Sequence, residues 1–121
     1  MPRVDIVTAI IGSAMIGTGL YGILSPADMA RFFGIVDVTP DMAFPFTAIG
    51  GRNLSAGLGI WGLKLANQRR ALGIVLLSWT CAGFADTYLL LSHWAAVDQV
   101  RVHVFNTCVL AFAAAALLVE K

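Results

Sequence analysis

Four long apolar segments separated by short polar connections dominate this chain and constrain its fold more than any motif does. They cover about Ile6–Leu24, Ala43–Leu63, Ala71–Leu91 and Val102–Val119. Each is about long enough to cross a hydrocarbon core of roughly 30 Å as an α-helix that rises about 1.5 Å per residue. Because the connections are short, successive helices are expected to run antiparallel. The sequence therefore predicts an all-α fold: a single domain, residues 1–121, built as an up-down bundle of four transmembrane helices.

Charged residues are too few to cover a water-exposed globule. They make up 12% of the chain, whose mean hydropathy is +0.82, whereas a soluble domain is about one-quarter charged. The expected surroundings are therefore a lipid bilayer. A net charge of +1 without a basic patch argues against a nucleic-acid partner. Cys81 and Cys108 are predicted to be small buried hydrophobic residues, and a disulfide between facing helices is left open.

The segment "PADMARFFG", residues 26–34, predicts a short amphipathic helix with Ser25 as its N-cap and Pro26 in its first turn. Its apolar residues Met29, Phe32 and Phe33 are expected to lie in the membrane interface. The first apolar segment is not expected to be a cleaved signal peptide, because its apolar region exceeds the usual length of about 7–15 residues.

Lysine and arginine are distributed unequally between the two expected sides of the membrane. The side with both termini holds Arg3, Lys64, Arg69, Arg70 and Lys121; the other holds Arg31 and Arg101. The positive-inside rule therefore places both termini in the cytoplasm, in the endoplasmic reticulum of a eukaryote or the inner membrane of a bacterium. Trp61 falls near the inner boundary and Trp94 near the outer one.

Small residues recur at helical spacing and predict close helix packing. The sets are Gly51/Ser55/Gly59 on the second helix, Ser13/Gly17 and Thr18/Gly22 on the first, and Ala111/Ala115 on the fourth. They predict packing within the chain, association into a homo-oligomer, or both.

A set of polar residues is expected at one level in the outer half of the membrane. "GGRNL", residues 50–54, places Arg52 roughly 13 Å deep in the second helix. Asp86 lies near the outer end of the third helix, and His103 opens the fourth. An unpaired Arg or Asp at a helix centre costs about 2.5–3.5 kcal/mol on insertion scales. The sequence therefore predicts a bidentate contact between Arg52 and Asp86.

Two interpretations of this polar set compete. One is a structural ion pair that fixes helix register; the other is a pocket that binds a lipophilic molecule, with transport as a third reading. The number of polar groups favours the pocket. The candidate catalytic residues are Asp86, Arg52 and His103, and the candidate substrate-binding residues are Asn53, Asn106, Tyr21, Tyr88 and Trp79. Each residue also has a simpler interpretation. Tyr21 could be an interfacial aromatic residue, Trp79 could serve packing, and Asn53 could form an interhelical hydrogen bond.

The chemistry of such a pocket would be proton transfer. The sequence has no Ser-His-Asp grouping, metal triad, phosphate loop or dinucleotide fingerprint, so no cofactor and no metal are expected. Asp86 would act as general acid or base, Arg52 would orient it or stabilise negative charge, and His103 would carry a second proton. Isomerisation, cyclisation or epoxide opening of a neutral lipophilic substrate would suit these groups. The alternative is a non-catalytic membrane assembly or carrier module.

The chain resembles a family of small four-helix integral membrane proteins catalogued only as a domain of unknown function and distantly similar to the DoxX-like membrane proteins. The resemblance rests on "GGRNL" at 50–54, "RRALGIVLL" at 69–77, Asp86 and His103. It implies a four-helix fold and a polar set carried by Arg52, Asn53, Asp86 and His103. Some fungal proteins of similar appearance are associated with natural-product biosynthesis, which favours an enzyme. Three other families are disfavoured. Small multidrug transporters have an embedded glutamate, glutathione-using membrane enzymes have a basic cluster, and vitamin K reductases have a CxxC motif. This sequence lacks each of these features.

Overall fold

The computed structural model describes residues 2–92 and 97–119, and every regular element in these ranges is helical. The elements are α1 (Pro2–Leu24), α2 (Pro26–Phe33), α3 (Pro40–Ala43), α4 (Pro45–Leu65), α5 (Arg69–Ser92) and α6 (Val97–Val119). The all-α prediction is confirmed, and the four apolar segments correspond to α1, α4, α5 and α6. The single-turn helix α3 was not predicted. Trp94 and Lys121, for which positions relative to the membrane were predicted, lie outside the described residues.

Three helices are long and apolar enough to cross a membrane: Arg3–Leu24, Arg69–Ser92 and Val97–Val119. The helix α4 has a similar length but is not among them. Its apolar residues are interrupted by the adjacent Arg52 and Asn53. Length and composition therefore support three of the four predicted spans, as in a multi-pass membrane protein.

The helices associate mainly as two antiparallel pairs, α1 with α4 and α5 with α6, and contacts between the pairs are sparser. Glycines bring α1 and α4 into backbone contact. A Cβ atom on Gly57 would lie 2.7 Å from the carbonyl oxygen of Gly12, and one on Gly22 would lie 2.8 Å from the Cα of Gly50. Close packing of this kind is how helices associate where lipid offers no hydrophobic driving force.

The predicted small-residue stripe of α4 is not the face that packs on α1. Gly51 and Gly59 have open space around their Cβ positions, and Ser55 is exposed. The packing face is instead marked by Gly50 and Gly57, which are seven residues apart. Of the two predicted uses of this stripe, packing on α1 is therefore not the one seen, and association with a second copy stays a prediction. A spacing of four residues does not say which of several glycine rows meets a neighbouring helix.

The space around each glycine Cβ position also distinguishes the two small-residue pairs of α1. Gly17 has no neighbour within 4 Å of a Cβ position, whereas Gly22 packs against α4. Ser13 is exposed and accepts a hydrogen bond from Trp61 Nε1 at 3.3 Å. Both Thr18 and Gly22 therefore lie at the contact between α1 and α4, whereas Gly17 of the other pair does not.

The outer surface of the bundle is apolar, and part of its interior is polar. Large hydrophobic side chains are exposed along all four long helices, among them Ile10, Leu58, Ile74 and Phe112. Three threonines, Thr8, Thr80 and Thr107, are buried instead. This distribution fits a chain surrounded by lipid and does not fit one surrounded by water.

The short helix α2 folds across one end of the bundle. Met29 and Phe33 are buried, and only Phe32 is exposed, so the expectation that all three lie in the membrane interface was wrong for two of them. Their burial follows from contact with α4 and α5, where Phe33, Phe46 and Leu90 belong to one hydrophobic cluster. Ser25 precedes α2, as predicted, but its side chain makes no capping hydrogen bond.

The opposite end of the bundle is held by a polar cluster. Arg69 Nη1 donates to Asp5 Oδ1, and Lys64 Nζ donates to the Asp5 carbonyl oxygen at 2.8 Å and to Thr8 Oγ1 at 2.9 Å. These contacts join the start of α1, the end of α4 and the start of α5. Two of the five basic residues predicted to share one side of a membrane, Lys64 and Arg69, therefore lie together at one end of the bundle.

The two cysteines lie on the outer surface. Cys81 and Cys108 are exposed and unpaired, so the expectation that they are buried was wrong. The apolar character of their segments reflects an outer face that is itself hydrophobic, as exposed Ile74 and Phe112 show.

Candidate functional site

A cavity of about 630 Å³ lies between the α1–α4 pair and the α5–α6 pair, and α2 contributes to its wall. Six of the eight predicted site residues line it: Arg52, Asn53, Trp79, Asp86, His103 and Asn106. Two come from α4, two from α5 and two from α6. Five of these six belong to the set expected at one level, Trp79 was not part of that set, and the tyrosines expected with it do not line the cavity. Contact alone does not assign these groups a role.

Arg52 is the centre of the polar set. Its Nη2 lies 3.4 Å from Asp86 Oδ2, and its Nε and Nη2 both lie 3.4 Å from Asn53 Oδ1. Its guanidinium carbon lies 5.4 Å from the ring centroid of Trp79, within the range of a cation–π contact. The predicted bidentate contact is replaced by one long contact, because Asn53 occupies the same guanidinium edge.

Asn53 connects this set to α1. Its Nδ2 donates to Thr18 Oγ1 at 3.2 Å, and the Thr18 hydroxyl donates to the Ala14 carbonyl oxygen at 3.0 Å. A continuous polar chain therefore runs from Thr18 through Asn53 and Arg52 to Asp86. It ties together α1, α4 and α5 at one level of the bundle.

His103 packs against α2. Its ring centroid lies 4.5 Å from that of Phe33, with the planes inclined by 57°. Within residues 2–92 and 97–119, neither His103, Asn106 nor Gln99 has a side-chain hydrogen-bond partner, although all three line the cavity. Their polar atoms are therefore available to a molecule in the cavity.

The Arg52–Asp86 pair is only partly covered by protein. The side chain of Arg52 is 36% exposed and that of Asp86 is 19% exposed, and both line the cavity. The ion pair therefore forms part of the cavity wall.

Two predicted residues lie outside the cavity wall. Tyr88 is 74% exposed, and at two residues beyond Asp86 it projects from nearly the opposite face of α5. Tyr21 is exposed near the end of α1, where its ring meets that of Phe32 edge-on at 6.2 Å. The structure brings neither tyrosine to the polar set.

Among the residues of the cavity wall that the sequence did not assign to the site are Thr18, Phe33 and Gln99. Thr18 is predicted only as a small packing residue and Phe33 as an interfacial one, and Gln99 lies before the predicted start of the fourth helix. Gln99 lies four residues before His103 and so on the same helical face. The structure begins α6 at Val97, whereas the start predicted from the sequence is Val102. With the later start, the four-residue spacing between Gln99 and His103 could not be recognised as helical. Within the described ranges no three His, Cys, Asp or Glu side chains are grouped so as to bind a metal ion.

Comparison with known proteins gives a family but no characterised relative. Residues 12–118 match the family described as domain of unknown function DUF4267. No curated protein and no solved structure matches the chain. The matched range includes "GGRNL" at 50–54, Asp86 and His103, and so contains the polar set. Because the match covers most of the sequence, this chain belongs to the DUF4267 family.

Proposed function

We propose that this protein is a small multi-pass membrane protein whose cavity binds a neutral lipophilic molecule and acts on it by proton transfer. The observation that carries the proposal is the convergence of six polar or aromatic side chains on a single cavity of about 630 Å³. Ligand pockets usually measure about 300–1,000 Å³ and combine apolar walls with a few placed polar groups. Ionisable residues within membrane helices most often mark functional sites.

In this proposal α4 is the fourth membrane span. Its two most polar residues, Arg52 and Asn53, line the cavity and contact each other, Thr18 and Asp86. Since these groups are paired within the bundle, the cost of placing them at membrane depth is reduced. The end that holds Lys64 and Arg69 would face the cytoplasm, with both termini, and α2 would lie near the outer surface.

The catalytic roles follow from what each side chain can donate or accept. Asp86 would remove or deliver a proton, Arg52 would hold the carboxylate and stabilise developing negative charge, and His103 would exchange the second proton. Asn106 would orient the substrate or a water molecule. An isomerisation of this kind takes one proton from the substrate and returns one elsewhere, so it needs no external cofactor. Cyclisation follows the same proton balance. Opening of an epoxide consumes a water molecule as well: the base takes a proton from the water as its oxygen bonds to carbon, and the acid protonates the epoxide oxygen as its C–O bond breaks.

The substrate would reach the cavity from the side. Contacts between α1 and α6 are few, and the cavity wall there includes exposed Ile10 of α1 and exposed Phe105 of α6. A lipophilic molecule dissolved in the bilayer could pass between these two helices without crossing water. The paired state of Arg52 favours a neutral ligand, because an anion would have to displace Asp86.

A non-catalytic membrane assembly or carrier module is the second candidate. The polar chain that links Thr18, Asn53, Arg52 and Asp86 joins three helices and would also suit a purely structural role. The more distant likeness to DoxX-like proteins stays a prediction and favours neither candidate.

Mass spectrometry of small molecules that co-purify with the protein tests the proposal. We expect the wild-type protein to retain a lipophilic compound and the Asp86→Asn variant to retain it in a different amount or in unconverted form. Asp98→Asn, an exposed carboxylate on α6 paired with Arg101, is the matched control and should behave as wild type. If Asp86→Asn converts the compound at the wild-type rate, the catalytic assignment is wrong. If all three preparations are empty and equally stable, the structural module is favoured.

A further inference from the structure

A second cavity, of about 450 Å³, lies between α1 and α6 as a groove that opens to the outer surface, where Phe112 and Cys108 are exposed. Its wall consists of apolar side chains such as Val7, Phe112 and Ala116, together with Cys108 and, at one end, Arg3. Phe105 and Val109 line both this cavity and the one that holds the polar set. The two cavities therefore adjoin along the α1–α6 contact.

We infer that the ligand of this protein is a long-chain amphiphile, with its polar group beside Arg52, Asp86 and His103 and its apolar chain in the second cavity. The inference rests on the proposed function and specifies its substrate class. Apart from Arg3 and Cys108, the polar side chains of the joined walls lie at one end, and the rest of the other end is apolar. A compact molecule would fill only the first cavity, whereas an elongated one with a single polar end matches both.

The length of the joined cavities fits such a molecule. His103 and Ala116 both line the walls and are separated by 13 positions on α6, which corresponds to roughly 20 Å along the helix axis. Arg3 closes the far end; its aliphatic stem can cover the end of an apolar chain while its guanidinium turns to the membrane surface. Its charge has no ion-pair partner among the described residues.

The polar end of the ligand is neutral. Asp86 already balances the charge of Arg52, and the other free groups of the wall are the His103 ring and the Gln99 and Asn106 amides. These donate and accept hydrogen bonds without favouring a full charge. A hydroxyl, carbonyl, epoxide or amide on a long alkyl or isoprenoid chain meets these requirements.

Photo-crosslinking in lipid nanodiscs tests the inference. The probes are two palmityl alcohols, one with a diazirine next to the hydroxyl and one with a diazirine at the far end of the chain. We expect the first to label peptides containing Trp79 or His103 and the second to label α6 within residues 105–116. An excess of unmodified palmityl alcohol should reduce both signals.

Two tryptophan variants provide the matched comparison. Cys108 lines only the second cavity and is exposed, so Cys108→Trp should fill that cavity without disturbing the helix core. Leu58→Trp lies on the outer face of α4, 57% exposed and outside both cavities. Labelling of α6 by the far-end probe should be lost in Cys108→Trp and kept in Leu58→Trp.

The outcomes separate the inference from the proposed function. Labelling of Trp79 or His103 by the first probe, with far-end labelling of α6 unchanged by Cys108→Trp, would leave the binding site in place and overturn the extended ligand. Labelling of α6 that excess palmityl alcohol does not reduce would assign the second cavity to bulk lipid and also overturn it. If neither probe labels the cavity walls, both the inference and the proposed binding of such molecules fail.

Discussion

Gly50 of α4 lies directly against Gly19 of α1: a Cβ atom on Gly50 would come within 2.7 Å of the Gly19 carbonyl oxygen. We predict that Gly50→Ala destabilises the protein by about 1–3 kcal/mol, because the added methyl group meets backbone that must move as a whole. Thermal and denaturant unfolding of the purified protein in detergent would measure the change.

The neighbouring glycine supplies the control. Gly51 has nothing within 4 Å of its Cβ position, so Gly51→Ala should be neutral or stabilising by up to about 1 kcal/mol through helix propensity. Equal effects at both positions would show that the backbone contact between α1 and α4 is not as close as described.

The hydrogen bond from Asn53 to Thr18 gives a second prediction. A double-mutant cycle with Asn53→Ala and Thr18→Val should give a coupling free energy of about 0.6 kcal/mol, and at most about 1.7, the range measured for side-chain hydrogen bonds within membranes. Thr18→Val keeps the shape of the side chain but removes the hydroxyl that accepts from Asn53 Nδ2. Unfolding free energies of the four proteins measure the coupling.

Asn106 serves as the control for this cycle. It lines the cavity without a hydrogen-bond partner in the described ranges, so Asn106→Ala combined with Thr18→Val should give additive changes. Coupling of the same size in both cycles would contradict a specific Thr18–Asn53 bond.

Hydropathy and charge placement predicted much of this architecture, because a long apolar segment has few alternatives to a helix. The contact between Arg52 and Asp86 was predictable for a related reason: two opposite charges at similar depth in neighbouring antiparallel helices have few other partners. The rotation of each helix was not predictable. Glycines occur on several faces of α4, and the choice of the Gly50 face over the Gly51 face depends on complementary glycines of α1.

The wall contributed by α2 was not predictable from its own sequence. An amphipathic segment of eight residues, Pro26–Phe33, has the same pattern whether its apolar face meets lipid or a helix bundle. Only the arrangement of α4, α5 and α6 decides that Phe33 lies beside His103. The start of α6 was missed for a local reason. Its first turns contain the polar residues Asp98, Gln99 and Arg101, which are typical of a loop. In the structure these residues are helical and either are exposed or line the cavity.

Phe33 provides a third prediction. It is 4% exposed and contacts both Phe46, at 5.4 Å between ring centroids, and His103. We expect Phe33→Ala to lower the free energy of unfolding by about 3–5 kcal/mol, as for other large buried aromatic residues. Phe32, which is 62% exposed, is the adjacent control, and Phe32→Ala should cost much less. Comparable losses in the two variants would place α2 at the membrane interface, as the sequence suggested.

The last prediction separates a structural ion pair from a functional one. Removing one partner, as in Asp86→Leu, leaves the other charge uncompensated and should destabilise the protein by at most about 3 kcal/mol, since the pair is partly exposed to the cavity. The double variant Arg52→Met with Asp86→Leu should recover most of that loss, because hydrophobic side chains of similar volume commonly replace an ion pair without cost.

Unfolding measurements and mass spectrometry of co-purifying molecules should be made on the same preparations of this double variant. A structural pair requires only that the protein fold, so the variant would keep any bound compound. The proposed pocket requires that it fold and yet lose the compound, because the groups that hold the polar end are gone while the apolar walls remain. If the double variant is stable and retains the compound in unchanged amount and form, Arg52 and Asp86 have only a structural role. The "GGRNL" motif would then serve helix packing.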